Sequence, residues 1–285
     1  MEKNENIIES KNEIKTEDEN HENPYKIIEN LGKTKKGELF LATFNEKLCM
    51  IYKIDLKSQI EKDQTIDEIK KINSLKSEFI VKINNYFYEN QNMKEYFCIV
   101  IDNYKYGNLS NLIQKNYPLS TRMIWRIFLQ LALGIKAFHE NDMILKDLHP
   151  GNIYLDDEMN IKIGSYRLIS DFSKKENLNT YEFYSPEIIN GRDFSKESDI
   201  WSLGFILYKL VFKDKPFNLK NNIFNYNDIN NDNCDADFNY VLSKLLCNEN
   251  KRVSINKLLI DMRIKKKLLE VNLFDEVVEE NIKSK

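Results

Sequence analysis

The sequence predicts an α+β fold in two lobes, and three observations carry that prediction. The first half is written in short runs rich in Ile, Leu, Tyr and Phe with polar turns between them, the pattern of antiparallel strands. After Gly107 the apolar spacing becomes helical, with one long run from Ser120 to about Asn141. Strands first and helices afterwards segregate into separate layers, whereas a parallel α/β sheet would alternate them.

The elements follow in order. Residues 1–24 are rich in Asn, Glu and Lys and nearly free of aromatic side chains. Such a stretch cannot bury enough apolar surface to offset its ordering entropy, so a disordered acidic tail is expected there. YKIIENL, ELFLATF and LCMIYKID read as three strands. SQIEKDQTIDEIKKINSLK reads as a helix, with Ile60, Ile66, Ile69 and Ile72 at near-helical intervals. IVKINNYFYE and YFCIVIDN complete a sheet of about five strands. This gives a small sheet lobe over 25–101 and a connector over 102–107. A larger, mainly helical lobe spans 108–270, and a helical tail is expected over 271–285. In the second lobe Ser120 is placed to cap the long helix, because its oxygen can accept a free first-turn amide. IYL and IKI form a short hairpin around DDEMN.

Composition narrows the function. At 285 residues, with 42% hydrophobic and 31% charged residues, the chain can bury a large core. A net charge of −3 gives no global attraction to a polyanion, so no nucleic-acid partner is expected. The four cysteines stand far apart with no CxxC, which argues for a reducing compartment and against a zinc site or disulfide framework. The most apolar helices, MIWRIFLQLALGIKAF and DIWSLGFILYKLVF, are interrupted by Arg126, Gln130, Lys136 and Lys209, so they read as core helices and no membrane partner is expected. A cytoplasmic home follows, with the nucleus also open to the protein.

The decisive motifs come next. LGKTKKGELFLA has Gly32 and Gly37 at a strand turn, with Thr34 between them. CMIYKID ends a strand on Lys53, and EIKKINSLK carries Glu68. LKDLHPGN sets Asp147 and Asn152 close together, and IKIGSYRLI follows the hairpin. Farther on lie NTYEFYSPE, SDIWSLGFILYKL and CNENKRVS. In this order they resemble the eukaryotic protein kinase family of the serine/threonine type over about residues 25–270. The resemblance implies a bilobal kinase-like fold whose cleft binds ATP with Mg²⁺.

Role by role, the resemblance makes Gly32 and Gly37 part of the loop over the phosphates, weakened because Thr34 carries a Cβ. It places Lys53 on the phosphates, held by an ion pair to Glu68. The hinge IVIDNYKYGNL puts Ile101 at the cleft gate and offers the backbone of Asp102–Tyr104 to an adenine. Asp147 becomes the candidate catalytic base and Asn152 the candidate metal ligand. Asp199 would brace the loop that carries Asp147, and Glu187 would pair with Arg252 in a structural role. Thr180 favours the serine/threonine pattern over the tyrosine one.

The departures cluster at the phosphate site. Ser165 stands where the family's D-F-G triplet carries its metal-binding Asp, and Arg167 replaces that triplet's Gly. Losing one carboxylate of so few around Mg²⁺ raises the barrier by ~3–5 kcal/mol, on the order of 10²–10⁴ in rate. Leu145 and Lys146 replace the His and Arg before Asp147, and His149 replaces a phosphate-contacting Lys. A rival alignment would use Asp171-Phe172-Ser173 as the triplet, at the cost of an insertion. DLHPGN alone also resembles small-molecule phosphotransferases of the aminoglycoside and choline kinase type, which lack the later motifs.

The expectation is a pseudokinase that keeps ATP-type nucleotide binding, has weak or absent phosphoryl transfer, and acts by protein interaction or allostery. Two alternatives stay open. One is an active ATP-dependent serine/threonine kinase with unusual metal ligation. The other is a nucleotide-free scaffold whose cleft is filled by its own side chains, for which Tyr166 is the candidate.

Overall fold

A computed structural model describes residues 24–33, 37–115, 118–164, 181–213, 219–220, 223–224 and 235–273. The small lobe is a five-stranded antiparallel sheet with strand order β1-β2-β3-β5-β4. Its strands are β1 (Lys26–Lys33), β2 (Gly37–Phe44), β3 (Lys47–Ile54), β4 (Ile83–Gln91) and β5 (Lys94–Asp102). Between β3 and β4 lies helix α1 (Gln59–Ser74), capped by Ser58, whose side chain accepts from the Glu61 amide. Helix α1 buries Thr65, Ile69 and Ile72 against the sheet. Ile60, expected in that stripe, is 69% exposed, because it lies in the first turn before the helix meets the sheet.

The second lobe begins with α2 (Leu109–Lys115) and α3 (Thr121–Glu140). Ser120 caps α3 through the Met123 amide, and the helix is buried along almost its whole length. The hairpin follows as β6 (Ile153–Leu155) and β7 (Ile161–Ile163). Then come α4 (Pro186–Ile189), α5 (Lys196–Phe212), the paired short strands β8 (Leu219–Lys220) and β9 (Ile223–Phe224), α6 (Ala236–Leu245), α7 (Ile255–Leu259) and α8 (Met262–Glu270). Helix α5 starts with a reciprocal cap between Ser195 and Ser198. Helix α8 ends at Glu270, and of the helical tail expected over 271–285 only residues 271–273 are described. The acidic tail over 1–23 lies outside the described residues.

The sheet has two different faces. Met50, Tyr52 and Ile54 of β3 join Phe97, Ile99 and Ile101 of β5 and Ile69 and Ile72 of α1 in one core that continues into the helical lobe. The opposite face carries a small separate cluster of Tyr25, Ala42, Cys49, Ile51, Cys98 and Val100. Side chains alternate strictly along a strand, so each residue of β3 belongs to one face or the other.

The lobes are also tied by backbone. The amide of Leu155 donates to the carbonyl of Gly107 at 3.1 Å, and Val81 donates to Ile163 at 3.0 Å. These bonds hold the hairpin β6–β7 beneath the connector and against the segment leading into β4.

Candidate active site

Helix α3 delivers the chain into the loop 143–152. The Met143 amide closes onto Phe138 O, and Lys146 then takes a positive φ of 67°. The Asp147 amide donates back to Leu145 O at 2.8 Å, a tight reverse turn of the strained positive-φ kind. What holds it is Asp199 of α5, which is almost fully buried. Its Oδ2 accepts from the Leu145 amide at 2.9 Å, and its Oδ1 from the Lys146 amide at 3.0 Å. His139 Nε2 sits 2.9 Å from the same Oδ2. A buried carboxylate accepting from two amides costs little desolvation relative to an unpaired one, and it fixes the turn from below.

The loop brings Asp147 and Asn152 together. Asn152 Nδ2 donates to Asp147 O at 3.0 Å and reaches Asp147 Oδ2 at 3.4 Å. The amide nitrogen is thereby committed, which leaves the side-chain oxygen as the atom suited to a cation. Tyr184 donates to Asp147 Oδ1 at 3.5 Å. His149 accepts the Gly151 amide on Nδ1 at 3.1 Å, so in the neutral ring the proton is on Nε2, which lies 3.8 Å from Asp147 Oδ2. Tyr184 is a neighbour of Asp147 that the motif alone did not single out, whereas His149 is one of the motif's own departures.

Below the loop, Glu187 and Arg252 form a two-pronged buried pair, Nη1 to Oε1 at 2.5 Å and Nη2 to Oε2 at 3.3 Å. Arg252 also donates to the carbonyls of Glu197 and Cys247 and lies over the Trp201 ring at 5.1 Å. Burial pushes the Glu187 carboxyl up, but Arg252, a backbone hydrogen bond and Ser185 together outweigh it, and the net direction is down from the ordinary glutamate value.

At the front of the cleft, three tyrosines meet. Tyr52 comes from β3 in the upper lobe, Tyr154 from β6 in the lower lobe and Tyr104 from the connector between them. The Tyr52 and Tyr154 hydroxyls hydrogen-bond to each other. The rings of Tyr104 and Tyr154 stack with centroids 5.0 Å apart and planes 13° from parallel. All three side chains are buried, and burial pushes the Tyr104 phenol well above its ordinary range.

The family described as protein kinase domain matches residues 25–262. The chain belongs to the protein kinase family. It is 32% identical over 203 residues to NUAK family SNF1-like kinase 1 of Mus musculus, covering 68% of this chain and 30% of that protein. With serine/threonine-protein kinase polo of Drosophila melanogaster it shares 32% identity over 165 residues, 56% of this chain and 28% of that protein. With the probable cell cycle serine/threonine-protein kinase CDC5 homolog of Encephalitozoon cuniculi (strain GB-M1) it shares 30% over 228 residues, 74% of this chain and 48% of that protein. The chain therefore spans less than half the length of these curated relatives.

For a protein kinase domain, the upper lobe holds a correction to the sequence reading. Lys53 is on the wrong face of β3 to serve the cleft. It pairs with Cys98 across β5, and Phe87 pairs with Cys98 across β4, so Lys53 shares the face of the small separate cluster. Its ammonium bonds Gln91 Oε1 at 2.5 Å and Glu89 Oε2 at 3.1 Å, and lies 4.6 Å from the centre of the Tyr96 ring. Glu68 is on α1, which packs on the other face. The ion pair of Lys53 is thus with Glu89 of β4, and the expected Lys53–Glu68 pair is replaced. Met50, Tyr52 and Ile54 of β3 share the face of α1, and Tyr52 bonds the lower hairpin through Tyr154. The observed faces are those of a strand motif displaced by one residue, because a one-residue slip inverts every side chain.

The remaining expected residues are placed as follows. Gly37 opens β2 opposite Ile54, and an added Cβ there would fall 1.8 Å from the Lys53 carbonyl oxygen. Its lack of a side chain thus serves strand pairing. Gly32 has a φ of 133°, which side chains rarely adopt. Asp102 turns its carboxylate to Asn84 Nδ2 at 2.7 Å. Thr34, Ser165, Tyr166, Arg167, Asp171 and Thr180 lie outside the described residues. Among the described residues no group of three or more His, Cys, Asp or Glu side chains is placed to hold a metal ion. No helix among them is long and apolar enough to cross a membrane.

Protein kinase domains bind ATP as a class, but the upper face of this cleft fits a triphosphate poorly. On the cleft face of β3 stands the neutral phenol of Tyr52, already bonded to Tyr154, while the Lys53 ammonium pairs with Glu89 on the other face.

Proposed function

We propose that this kinase domain is a pseudokinase, with weak or absent phosphoryl transfer, that works in the cytoplasm or nucleus by binding another protein. The observation that carries the reading is the face of β3: Tyr52 toward the cleft, Lys53 away from it and paired with Glu89. A phosphoryl group in transfer is stabilised almost entirely by positioned cations, so replacing the cleft ammonium by a phenol removes a principal source of rate. Ser165 in the place of the family's metal-binding Asp points the same way. The test is transfer of labelled phosphate from ATP to generic protein substrates and to the protein itself, with Mg²⁺ and with Mn²⁺. The reading expects no transfer above an Asp147→Ala control. Transfer that this substitution abolishes would establish the second reading, an active serine/threonine kinase, which the braced Asp147–Asn152 loop favours.

A further inference from the structure

We propose that Tyr52, Tyr104 and Tyr154 form a lobe-spanning lock that fills the adenine end of the cleft, so that the two lobes are held together without a nucleotide. The inference rests on the pseudokinase reading and deepens it by saying what stands in the nucleotide's place.

Each member comes from a different part of the fold. Tyr104 is on the connector whose backbone the family resemblance offers to an adenine. Tyr154 is on β6, which the bond from Leu155 to Gly107 and the bridge between Asn108 and Tyr154 fasten under that connector. Tyr52 hangs from β3, the roof of the cleft. A flat base entering beside the connector would have to lie where the Tyr154 ring lies. The ring of Tyr104 is already stacked there at 5.0 Å, and inserting a third aromatic layer needs roughly twice that separation. The bond between the Tyr52 and Tyr154 hydroxyls then joins roof to floor.

Packing says the same thing as the hydrogen bond. All three rings belong to the one hydrophobic core that runs from Met50 in the upper lobe to Leu273 in the lower. The tyrosines share that core with Phe79, Val81 and Ile163, where the lobes also meet. Buried phenols also need hydrogen-bond partners, and of the two facing hydroxyls one donates to the other.

The experiment is a titration of the wild-type protein with ATP, ADP and adenosine, each with and without Mg²⁺, read by thermal shift and by a fluorescent adenine nucleotide. The lock predicts no saturable binding at millimolar ligand. The double variant Tyr52→Ala/Tyr154→Leu opens the space and should bind the fluorescent nucleotide at least about tenfold more tightly than wild type. Tyr52→Phe and Tyr154→Phe keep the rings and remove the bond between the hydroxyls. Each should speed hydrogen exchange on both β3 and β6, since either change releases the two lobes together. Micromolar ATP binding by wild type overturns the lock and leaves the pseudokinase reading intact if no phosphate is transferred. A folded double variant that gains no affinity, or Phe variants whose faster exchange is confined to one lobe, also overturns it. The labelled-phosphate assay decides the underlying reading separately.

Discussion

Replacing Arg252 by alanine takes away the partner of a buried carboxylate, and the contacts set the size of the effect. The guanidinium makes two bonds to Glu187, one each to the carbonyls of Glu197 and Cys247, and covers the face of Trp201. Removing one member of a buried pair leaves the other charged and desolvated, which costs about 3–5 kcal/mol. For a domain of this size that lowers the thermal midpoint by roughly 6–20 °C. The assay is urea and thermal unfolding followed by circular dichroism, across a range of pH. In wild type the Glu187 carboxyl is held below the ordinary glutamate value of 4.5. Its contribution is therefore present above that pH and is lost as the pH falls through the lower folded value. In Arg252→Ala the lowering by Arg252 is gone, and burial is opposed only by a backbone hydrogen bond and Ser185. Its folded pKa then moves up from the wild-type position, so the stability that wild type loses as the pH falls below 4.5 should be lost less steeply in the variant. The acid limb of the stability profile should therefore be shallower in the variant than in wild type. A loss under about 1 kcal/mol, or equal slopes, would mean that the pair behaves as a solvated surface bridge, and the reasoning would fail.

Three further outcomes follow from the geometry. Burial first, and then the Glu89 carboxylate, push the Cys98 thiol up to about 12, so iodoacetamide at pH 8 should leave Cys98 unmodified in the folded protein and label it in urea, as read by peptide mass. Gly37→Ala should separate the ends of β2 and β3, because its Cβ would meet the Lys53 carbonyl oxygen. We expect a loss of about 1–3 kcal/mol in urea unfolding, with a folded protein recovered. Asp199→Asn replaces a charged acceptor of two amides by an amide that can accept through only one atom. It should cost about 1.5–3 kcal/mol and raise hydrogen exchange at Leu145 and Lys146 specifically.

Most of the fold was legible because its signals are local and repeated. The strand runs, the Ser120 cap and the IYL/IKI hairpin each follow from pattern and turn chemistry, and together they fix a two-lobed α+β chain. The loop around Asp147 was also legible, since Asp147, Asn152 and Asp199 are set by motifs whose geometry is mostly backbone. Lys53 was misread for a definite physical reason. Strand β3 is apolar on both faces, with Cys49 and Ile51 on one side and Met50 and Ile54 on the other. Alternation, which normally separates core from solvent, therefore carries no mark of which face meets α1. The adjacent pair Tyr52-Lys53 then invited a reading by residue type. Glu89 and Gln91 lie two and four residues beyond Phe87, the β4 residue in register with Lys53 across β5, and that neighbourhood is visible only once the sheet order is known. The tyrosine column is invisible for the same cause: its members come from three elements far apart in the chain, and Tyr is common in both strands and connectors.

The most direct test of the account is a chemical one, at Lys53 itself. An acyl-phosphate derivative of ATP acylates a lysine that lies against bound phosphates, and excess ATP protects it. With Tyr52 facing the cleft and Lys53 bonded to Glu89 on the far side of the sheet, peptide mapping should find no ATP-protected acylation of Lys53. Efficient acylation of Lys53 that millimolar ATP suppresses would place that ammonium in the cleft and contradict the face of β3 on which the account rests.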